Sequence, residues 1–319
     1  MAFSVIAETG AGRGVACPCC GCGEAREFLK ARDLYNGRLE VYQLLRCRKC
    51  SFAWVKNPPE PEEMAWHYAG SYHTAISTGG EKAAARRWAP HRKLLYRYKQ
   101  GGAILDAGCS SGAFLGVLDA RAWQRFGIEM APEMAKRAEQ LTGARVFAGD
   151  ILDAKFGPQS FDAITSLHSL EHVYAPREVL LKFFEWLKPE GILYIAVPNI
   201  DAWEARLFGA YWYALEAPRH LSYFSKRSLE AMVTAAGFTR VRICTPASSY
   251  IEPSLTHVLV AVAERCGKHK KPLAAATEPS LPFKIVRKAF RSTLLEAFRQ
   301  ISGWAGKSAE IHAIFRKPQ

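Results

Sequence analysis

Six of the nine cysteines lie in the first 50 residues, where two C-x-x-C pairs could bind a metal ion. Cys17 pairs with Cys20 in CPCCGC, and Cys47 pairs with Cys50 in CRKC. A two-residue gap lets both thiolates of one turn face the same ion, and two such turns make a tetrahedral site. Because four thiolates leave no open coordination position, we expect a structural Zn²⁺ that folds a short ribbon.

The same cluster offers an alternative first pair, Cys19 with Cys22. The proline and the glycine that accompany Cys17 and Cys20 are typical of a zinc knuckle turn, so we favour the pair at 17 and 20. The clustering of cysteines at one end of the chain favours metal binding over disulfides.

A second group of residues with chemical potential lies in ILDAGCSSGAFLG, residues 104–116, where Asp106 precedes Gly108, Ser110 and Gly112. A loop between strand and helix can point backbone N–H groups at a ligand, and glycine permits close approach. The spacing differs from the G-x-G-x-x-G of nicotinamide and flavin sites. A carboxylate here repels a pyrophosphate but attracts the ammonium group of a sulfonium amino acid, so we expect a cationic ligand.

The elements that must position these residues follow from the hydrophobic pattern, because apolar runs alternate with helix-like segments from residue 101 onward. Such alternation is typical of an α/β fold with a doubly wound, mostly parallel Rossmann-like sheet. The predicted strands are 103–105, 126–128, 145–148, 161–165, 191–197, 238–244 and 309–315, and the predicted helices are 112–122, 131–141, 176–187 and 226–236, with 246–306 as a helical insertion before the last strand.

Residues 101–245 resemble, in order, the class I S-adenosylmethionine-dependent methyltransferases, whose first motif has the form D-x-G-x-G-x-G. Asp106, Gly108 and Gly112 match this motif, and Ser110 replaces its middle glycine. The resemblance implies S-adenosyl-L-methionine as the cofactor and methyl transfer as the reaction.

Further cofactor-binding residues are implied by the same resemblance. Glu129, followed by Met130, ends the second strand, where the acid accepts hydrogen bonds from both ribose hydroxyls. Asp150 follows the third strand and reaches the adenine amino group, and Ile151 stacks on the base. Leu167 lies at the carboxyl end of the fourth strand.

The acceptor side resembles a bacterial subfamily with a zinc ribbon that includes sugar C-methyltransferases. PRHLSYFS is similar to the subfamily's E-H-x-x-Y-F-S segment, and His220 and Tyr223 match it. Arg219 stands where the sugar enzymes have glutamate, which argues against sugar C-methylation and would suit an anionic acceptor. The linker tyrosines, Tyr68 and Tyr72, either close over the cofactor or pack against the sheet.

Candidate catalytic residues are the histidines expected at the carboxyl ends of the strands, since a base is needed when the acceptor loses a proton. We select His220, His168 and Tyr223. His220 either binds or deprotonates the acceptor or makes a structural hydrogen bond. His172 is expected to cap or pack its loop, and Glu171 is a weaker candidate.

The predicted domains are a zinc ribbon at 1–56, a linker and helical lid at 57–100, and a methyltransferase domain at 101–319. The prolines of NPPEPEE indicate a linker, because proline cannot propagate a helix or a sheet ladder. The N-terminus has no signal-peptide pattern and no apolar run is long enough to span a bilayer, so we expect a cytoplasmic protein.

The positive charge lies on the flanks: net +7 over residues 1–100, −2 over 101–263 and +8 over 264–319. Residues 284–304 form a basic amphipathic pattern that either contacts an anionic membrane or docks on the enzyme's own sheet or a second subunit. We expect a small-molecule acceptor, sugar-derived or lipid-linked. The alternatives are an RNA methyltransferase, which the absence of a recognisable RNA-binding module disfavours, and a non-catalytic cofactor-binding interaction module.

Overall fold

Two β-sheets organise the chain, of which the computed structural model describes residues 12–13, 15–68, 81–265 and 294–319. Numbered along the chain, the strands are β1 (Gly12–Arg13), β2 (Glu24–Arg32), β3 (Val41–Cys47), β4 (Ala53–Val55), β5 (Gly102–Ala107), β6 (Trp123–Glu129), β7 (Arg145–Ala148), β8 (Phe161–Leu167), β9 (Leu187–Pro198), β10 (Ser222–Tyr223), β11 (Thr239–Cys244) and β12 (Glu310–Arg316).

The larger sheet has the strand order β11-β12-β9-β8-β5-β6-β7. Strands β5 to β9 pair in parallel, and β12 pairs antiparallel with both β9 and β11. The middle strands are buried on both faces, which is why β9 is a nearly continuous apolar run. This sheet confirms the predicted Rossmann-like α/β fold.

Helices form most of the connections between the parallel strands, whereas residues 149–160, between β7 and β8, contain turns and no helix. The predicted helices at 131–141, 176–187 and 226–236 are confirmed within one or two residues. Numbered along the chain, the helices are α1 (Pro61–His67), α2 (Glu81–Leu95), α3 (Ala113–Gly116), α4 (Pro132–Thr142), α5 (Pro176–Trp186), α6 (Trp203–Phe208), α7 (Lys226–Ala235), α8 (Ile251–Arg265) and α9 (Leu294–Trp304).

The smaller sheet is antiparallel and has the order β1-β2-β3-β4-β10. Its last strand comes from the far part of the chain: Ser222 pairs with Trp54, and Tyr223 pairs with Ala53. The smaller sheet therefore joins the cysteine-rich segment to the segment that follows His220. This connection was not predicted, because nothing in the spacing of β4 and β10 indicates that they pair.

Two predictions about local structure were wrong. The helix predicted over 112–122 ends at Gly116, because Asp119 accepts backbone hydrogen bonds from Arg121, Ala122 and Trp123 that close a turn before β6. The proline-rich linker contains a helix, α1, that begins at Pro61. Proline is well suited to the first turn of a helix, where its missing N–H has no intrahelical partner.

The insertion at 246–306 is helical where the structure describes it, in α8 and α9. Of the predicted basic amphipathic pattern at 284–304, the described residues include 294–304 alone, and the basic residues before it lie outside them. No helix among the described residues is long and apolar enough to cross a bilayer.

Candidate active site

The turn after β5 has a conformation that glycine permits. Gly108 has φ +81°, and a Cβ atom there would lie 2.3 Å from Ser169 Oγ. Gly112 has φ +76°, and its Cβ would lie 2.9 Å from the methyl group of Thr142. Ser110, which replaces the middle glycine of the motif, also has a positive φ of +48°. The turn therefore has a positive φ at residues 108, 110 and 112, although serine replaces the middle glycine.

Asp106 ends β5 as a carboxylate that is 3% exposed. Thr165, its parallel neighbour on β8, donates a hydrogen bond of 2.6 Å to Oδ1. Burial raises the pKa of Asp106 to about 7, although the Thr165 hydrogen bond opposes the shift. A cation bound beside this carboxylate would stabilise its ionised form and so offset the free-energy cost of burying the charge.

Glu129 and Asp150 extend the acidic edge, because β5, β6 and β7 are adjacent and parallel and their carboxyl ends meet at one side of the sheet. Glu129 accepts backbone hydrogen bonds from Ser110 (2.8 Å) and Ala131 (3.0 Å), so it fixes the glycine turn. Asp150 accepts one from the N–H of Leu152 at 2.7 Å. Each carboxylate is half-buried and keeps part of its surface for a ligand.

The apolar residues predicted beside these acids differ in exposure. Ile151 and Leu167 are 7% and 6% exposed, whereas Met130 is 61% exposed. Ile151 follows Asp150 directly, and Leu167 ends β8 next to the turn that contains His168.

His168 lies immediately after β8 with φ +56°, and its backbone N–H bonds to Ala196 on the neighbouring strand. Its ring is flanked by two carboxylates: Nδ1 is 3.6 Å from Glu171 Oε1, and Nε2 is 4.0 Å from Glu310 Oε2. Burial would lower the pKa of His168, but Glu171 and Glu310 raise it above its ordinary value. A base with such a pKa suits proton transfer near neutral pH.

His172 lies in the short 3₁₀ turn Leu170–His172. Its Nδ1 is 3.1 Å from the carbonyl oxygen of Arg219 and 2.9 Å from the hydroxyl of Tyr68. Burial, and then the nearby His220, lower the pKa of His172 to about 4, so its imidazole is neutral near pH 7. Tyr68 thus contacts the predicted acceptor side of the site, whereas Tyr72 lies outside the described residues.

His220 is buried beside His172, with the two ring centres 4.5 Å apart and nearly perpendicular. Its Nδ1 donates to the carbonyl oxygen of Ala214 at 2.9 Å, and its Nε2 lies 3.9 Å from Oε2 of Glu216. Tyr223 is also buried, and its hydroxyl donates to the carbonyl oxygen of Leu215 at 2.9 Å. Both hydrogen bonds hold the loop that carries His220.

Arg219 does not face open solvent, as gripping an anionic acceptor would require. It is 1% exposed, and its guanidinium contacts both carboxylate oxygens of Asp33 at 3.2 Å. Asp33 also contacts Nδ1 of His67 at 2.7 Å. Burial would raise the pKa of Asp33, but Arg219 and then His67 hold it below its ordinary value. Arg219 therefore has a structural pairing that the sequence did not indicate.

The sequence also did not identify Glu310, at the start of β12. Tyr250 donates its hydroxyl proton to Glu310 Oε1 at 2.6 Å, and His312 Nε2 is 3.4 Å from Oε2. Although burial opposes ionisation, His312 and His168 keep the pKa of Glu310 below its ordinary value. No motif includes Glu310, because it is more than 140 positions from His168 along the chain. The two residues are brought together by the strand order, in which β9 lies between β12 and β8.

The four sulfur atoms of Cys17, Cys20, Cys47 and Cys50 form one cluster, with all of them within 4.8 Å of one another. Two Sγ pairs are 3.6 Å apart: 17 with 50, and 20 with 47. A tetrahedral Zn²⁺ with Zn–S bonds of about 2.3 Å requires S–S distances of about 3.8 Å, so the donor set fits this ion. The alternative pair is not part of the cluster, since Cys19 contacts the carbonyl oxygen of Ser228.

A family model described as a methyltransferase domain matches residues 81–243, slightly more than half of the chain. The chain belongs to this family. The ubiquinone biosynthesis O-methyltransferase of Xanthomonas campestris is 33% identical over 106 residues, which are 31% of this chain and 44% of that enzyme. The O-methyltransferase cnsE of Penicillium expansum is 29% identical over 168 residues, which are 49% of this chain and 58% of that enzyme.

The chain thus spans about half the length of the curated relatives it matches. Among solved structures, the complex between the Trm112 methyltransferase activator and a methyltransferase of Haloferax volcanii contains a chain with a TM-score of 0.50 and 17% identity. The similarity covers 77% of this chain and 97% of that chain. At this identity it supports the fold alone.

Proposed function

We propose that this member of the methyltransferase domain family transfers the methyl group of S-adenosylmethionine to an oxygen atom of a small-molecule acceptor. The observation that carries the proposal is the row of acids Asp106, Glu129 and Asp150 at the ends of three adjacent parallel strands, beside a glycine turn. The relatives named as O-methyltransferases support oxygen as the methylated atom.

The cofactor, when bound, supplies a methyl group activated by a sulfonium centre. Asp106 would bind the ammonium of its amino-acid part, and Glu129 would accept hydrogen bonds from the ribose hydroxyls. Asp150 would bind the adenine amino group. The apolar side chains of Ile151 and Leu167 would contact the adenine ring and the reacting end, with Met130 at the exposed rim.

His168 is our candidate for the general base. Nε2 of His168 would take the proton of the acceptor hydroxyl, whose oxygen would receive the methyl group that the cofactor supplies as its sulfonium becomes a neutral thioether. Glu171 and Glu310 would stabilise the resulting imidazolium, since both lie within 4.0 Å of the ring. His220 would bind the acceptor, and Tyr223 would position the His220 loop.

The ribbon at residues 1–56 would hold a structural Zn²⁺ through Cys17, Cys20, Cys47 and Cys50. The fit of the sulfur distances to a tetrahedral ion supports this assignment. We propose no chemical role for the ion, because four thiolates leave it no open position.

A lipid-linked acceptor is a second candidate, favoured by exposed apolar side chains on α9. Ile301 and Trp304 are 56% and 92% exposed, whereas Leu295 is buried and the ring of Phe298 lies 6.1 Å from that of Trp203. One side of α9 therefore packs on its own chain and another is open to a partner. Flotation with anionic vesicles tests membrane contact. Wild type that does not float with the vesicles, or a Trp304→Ser variant that floats as well as wild type, would contradict this candidate.

Calorimetry with S-adenosylhomocysteine tests the cofactor site. We expect wild type to bind and Glu129→Ala to bind at least tenfold more weakly, because the ribose hydroxyls lose a charged hydrogen-bond acceptor. Equal heats for the two proteins would contradict the assignment. The exposed Glu133→Ala on α4 is the matched control and should bind like wild type.

The acceptor class can then be sought by incubating the enzyme with labelled cofactor and separate panels of phenols, sugar derivatives and RNA. Label transfer to a phenolic or sugar hydroxyl would support the proposal. Transfer to RNA alone would replace it with the RNA methyltransferase alternative, and binding of cofactor without transfer to any panel would favour a non-catalytic module.

A further inference from the structure

Three potential metal ligands meet on the acceptor side of the site, away from the cysteine cluster. They are Glu171 and His172, from the 3₁₀ turn after β8, and His220, from the loop before β10. One ligand atom from each lies within 4.8 Å of the other two. Two imidazoles and one carboxylate at such distances can bind a single ion.

The carboxylate of Glu171 has an unsatisfied environment. The residue is 1% exposed, and within the described parts of the chain neither carboxylate oxygen has a hydrogen-bond partner. The nearest ring nitrogen is Nδ1 of His168, at 3.6 Å, which is beyond hydrogen-bond distance. Buried carboxylates are normally hydrogen-bonded, paired or coordinated to a metal, so this geometry indicates a missing positive partner.

Both histidines are oriented as metal ligands are. Nδ1 of His220 donates to the carbonyl oxygen of Ala214 at 2.9 Å, and Nδ1 of His172 lies 3.1 Å from the carbonyl oxygen of Arg219. Because a carbonyl can only accept, the contact of His220 uses a proton on Nδ1, and in a neutral imidazole this leaves the lone pair on Nε2. Nδ1 of His172 also lies 2.9 Å from the hydroxyl of Tyr68, which can accept from it as well. Metal-binding histidines are typically held in this way by a hydrogen bond from the other ring nitrogen.

We propose that Glu171, His172 and His220 bind one divalent transition-metal ion, of the Mn²⁺, Fe²⁺, Co²⁺ or Zn²⁺ class. Imidazole and carboxylate ligands suit these ions, and three protein ligands leave at least one coordination position open. Resting on the proposed function, we assign that position to the acceptor oxygen. The ion would lower the pKa of the bound hydroxyl, and His168 would take its proton.

Mn²⁺ is a selective probe, because it prefers nitrogen and oxygen ligands to a thiolate cluster. Protein that contains one zinc ion per chain, which the four thiolates bind, is titrated with Mn²⁺, and free Mn²⁺ is followed by its electron paramagnetic resonance signal. We expect one bound Mn²⁺ per chain in wild type. Glu171→Gln and His220→Asn should each bind it at least tenfold more weakly, since both remove a ligand while preserving side-chain size.

The matched control is Glu204→Gln, which changes a buried carboxylate that is fully hydrogen-bonded to Trp212, Ser249 and Tyr250. It should bind Mn²⁺ like wild type. Circular dichroism and S-adenosylhomocysteine binding establish that each variant is folded.

Absence of a Mn²⁺ site in folded wild type, or equal binding by wild type and Glu171→Gln, would overturn the proposal. The proposed function is judged separately. Metal binding without cofactor binding would support the metal site and contradict the methyltransferase activity. Cofactor-dependent methylation by protein without this second ion would support the methyltransferase activity and contradict the role of the ion.

Discussion

At the scale of single residues, Asp106 combines burial with a role that requires a charge. Its pKa is about 7, so in the free protein it is partly protonated at neutral pH. The ammonium of a bound ligand favours the ionised form, and binding must therefore release a proton as pH falls below this value. This coupling makes cofactor affinity dependent on pH in a specific direction.

We expect the affinity for S-adenosylhomocysteine to fall by up to about tenfold per pH unit below pH 7, because Asp106 must lose a proton first. Asp106→Asn should bind about tenfold to a hundredfold more weakly at pH 8 and should lose this pH dependence. Calorimetry from pH 5 to pH 8 measures both effects. A variant with the same pH dependence as wild type would show that another group is responsible.

His168, the proposed base, lies between Glu171 and Glu310. His168→Ala should lower kcat by about 10²- to 10⁴-fold while leaving S-adenosylhomocysteine affinity unchanged. Because the base must be unprotonated, the rate should decrease as pH falls through its raised pKa. Steady-state kinetics with an identified acceptor measures the change.

Glu310→Gln provides an independent test of the same base. Removing this negative charge should lower the pKa of His168, so the acid limb of the pH profile should move to lower pH. An unmoved limb together with an active His168→Ala variant would exclude His168 as the base.

At the scale of elements, the glycine turn after β5 depends on contact with the turn after β8. Gly108→Ala would place a methyl group 2.3 Å from Ser169 Oγ and would also strain a φ of +81°. Gly143, at the end of α4, has φ +67°, and a Cβ atom there would have no neighbour within 4 Å. Alanine variants of Gly143 and Gly108 therefore separate the free-energy cost of a positive φ from the additional cost of the steric clash with Ser169.

We expect Gly143→Ala to lower the free energy of unfolding by about 1–2 kcal/mol, the cost of a left-handed backbone alone. Gly108→Ala should cost more and should weaken S-adenosylhomocysteine binding, since the turn must move. Adding Ser169→Gly should restore part of both losses. Denaturant unfolding and calorimetry measure them, and equal costs for the two alanine variants would contradict the contact.

The positions of most elements followed from the sequence because each depends on local spacing. The apolar runs around Ile104 and Ile195 predicted β5 and β9, and α4 followed from its helical period. The length of the helix at 113–116 was overestimated. Hydrogen bonds to Asp119 form a turn that ends the helix early, and the hydrophobic period does not predict such contacts.

At the scale of the whole molecule, the buried pair of Asp33 and Arg219 joins the smaller sheet to the loop of His220. Asp33→Ala should lower the free energy of unfolding by up to about 3–5 kcal/mol, because the buried guanidinium loses both oxygens of this carboxylate and keeps the 3.5 Å contact of its Nε with the carboxylate of Glu216. Urea unfolding measures the loss. The exposed Asp119→Ala, which removes a surface turn contact, should cost much less.

The same pair gives a pH dependence of stability. The pKa of Asp33 is below its value in the unfolded chain, so its contribution is present above the unfolded pKa and is lost as pH falls through the folded pKa. Wild type should therefore lose this contribution in acid, and Asp33→Ala should not. Parallel unfolding curves at all pH values would contradict the pairing.

Metal removal should affect the two sheets differently. Cys47→Ser should lose zinc and make the ribbon sensitive to protease, because this segment depends on the ion for its fold. S-Adenosylhomocysteine binding should persist, since one face of β5 and β8, with Ile104 and Ala163, packs in a core whose described members include no ribbon residue, although the other face shares a buried cluster with Cys47. Cys22→Ser, outside the cluster, should retain zinc. Metal analysis and limited proteolysis measure these outcomes, and full zinc content in Cys47→Ser would exclude the proposed ligand set.

The sequence by itself determined the strands of the larger sheet and three of the helices that cover it, the glycine turn with its acids, and the two C-x-x-C pairs, because each of these depends on residues that are close along the chain. Only the tertiary structure decided that β10 extends the smaller sheet, that Arg219 pairs with Asp33, and that Glu171 and His172 meet His220. These contacts join positions up to 186 residues apart, and their partners are selected by burial and charge compensation in the folded chain, which no local spacing encodes.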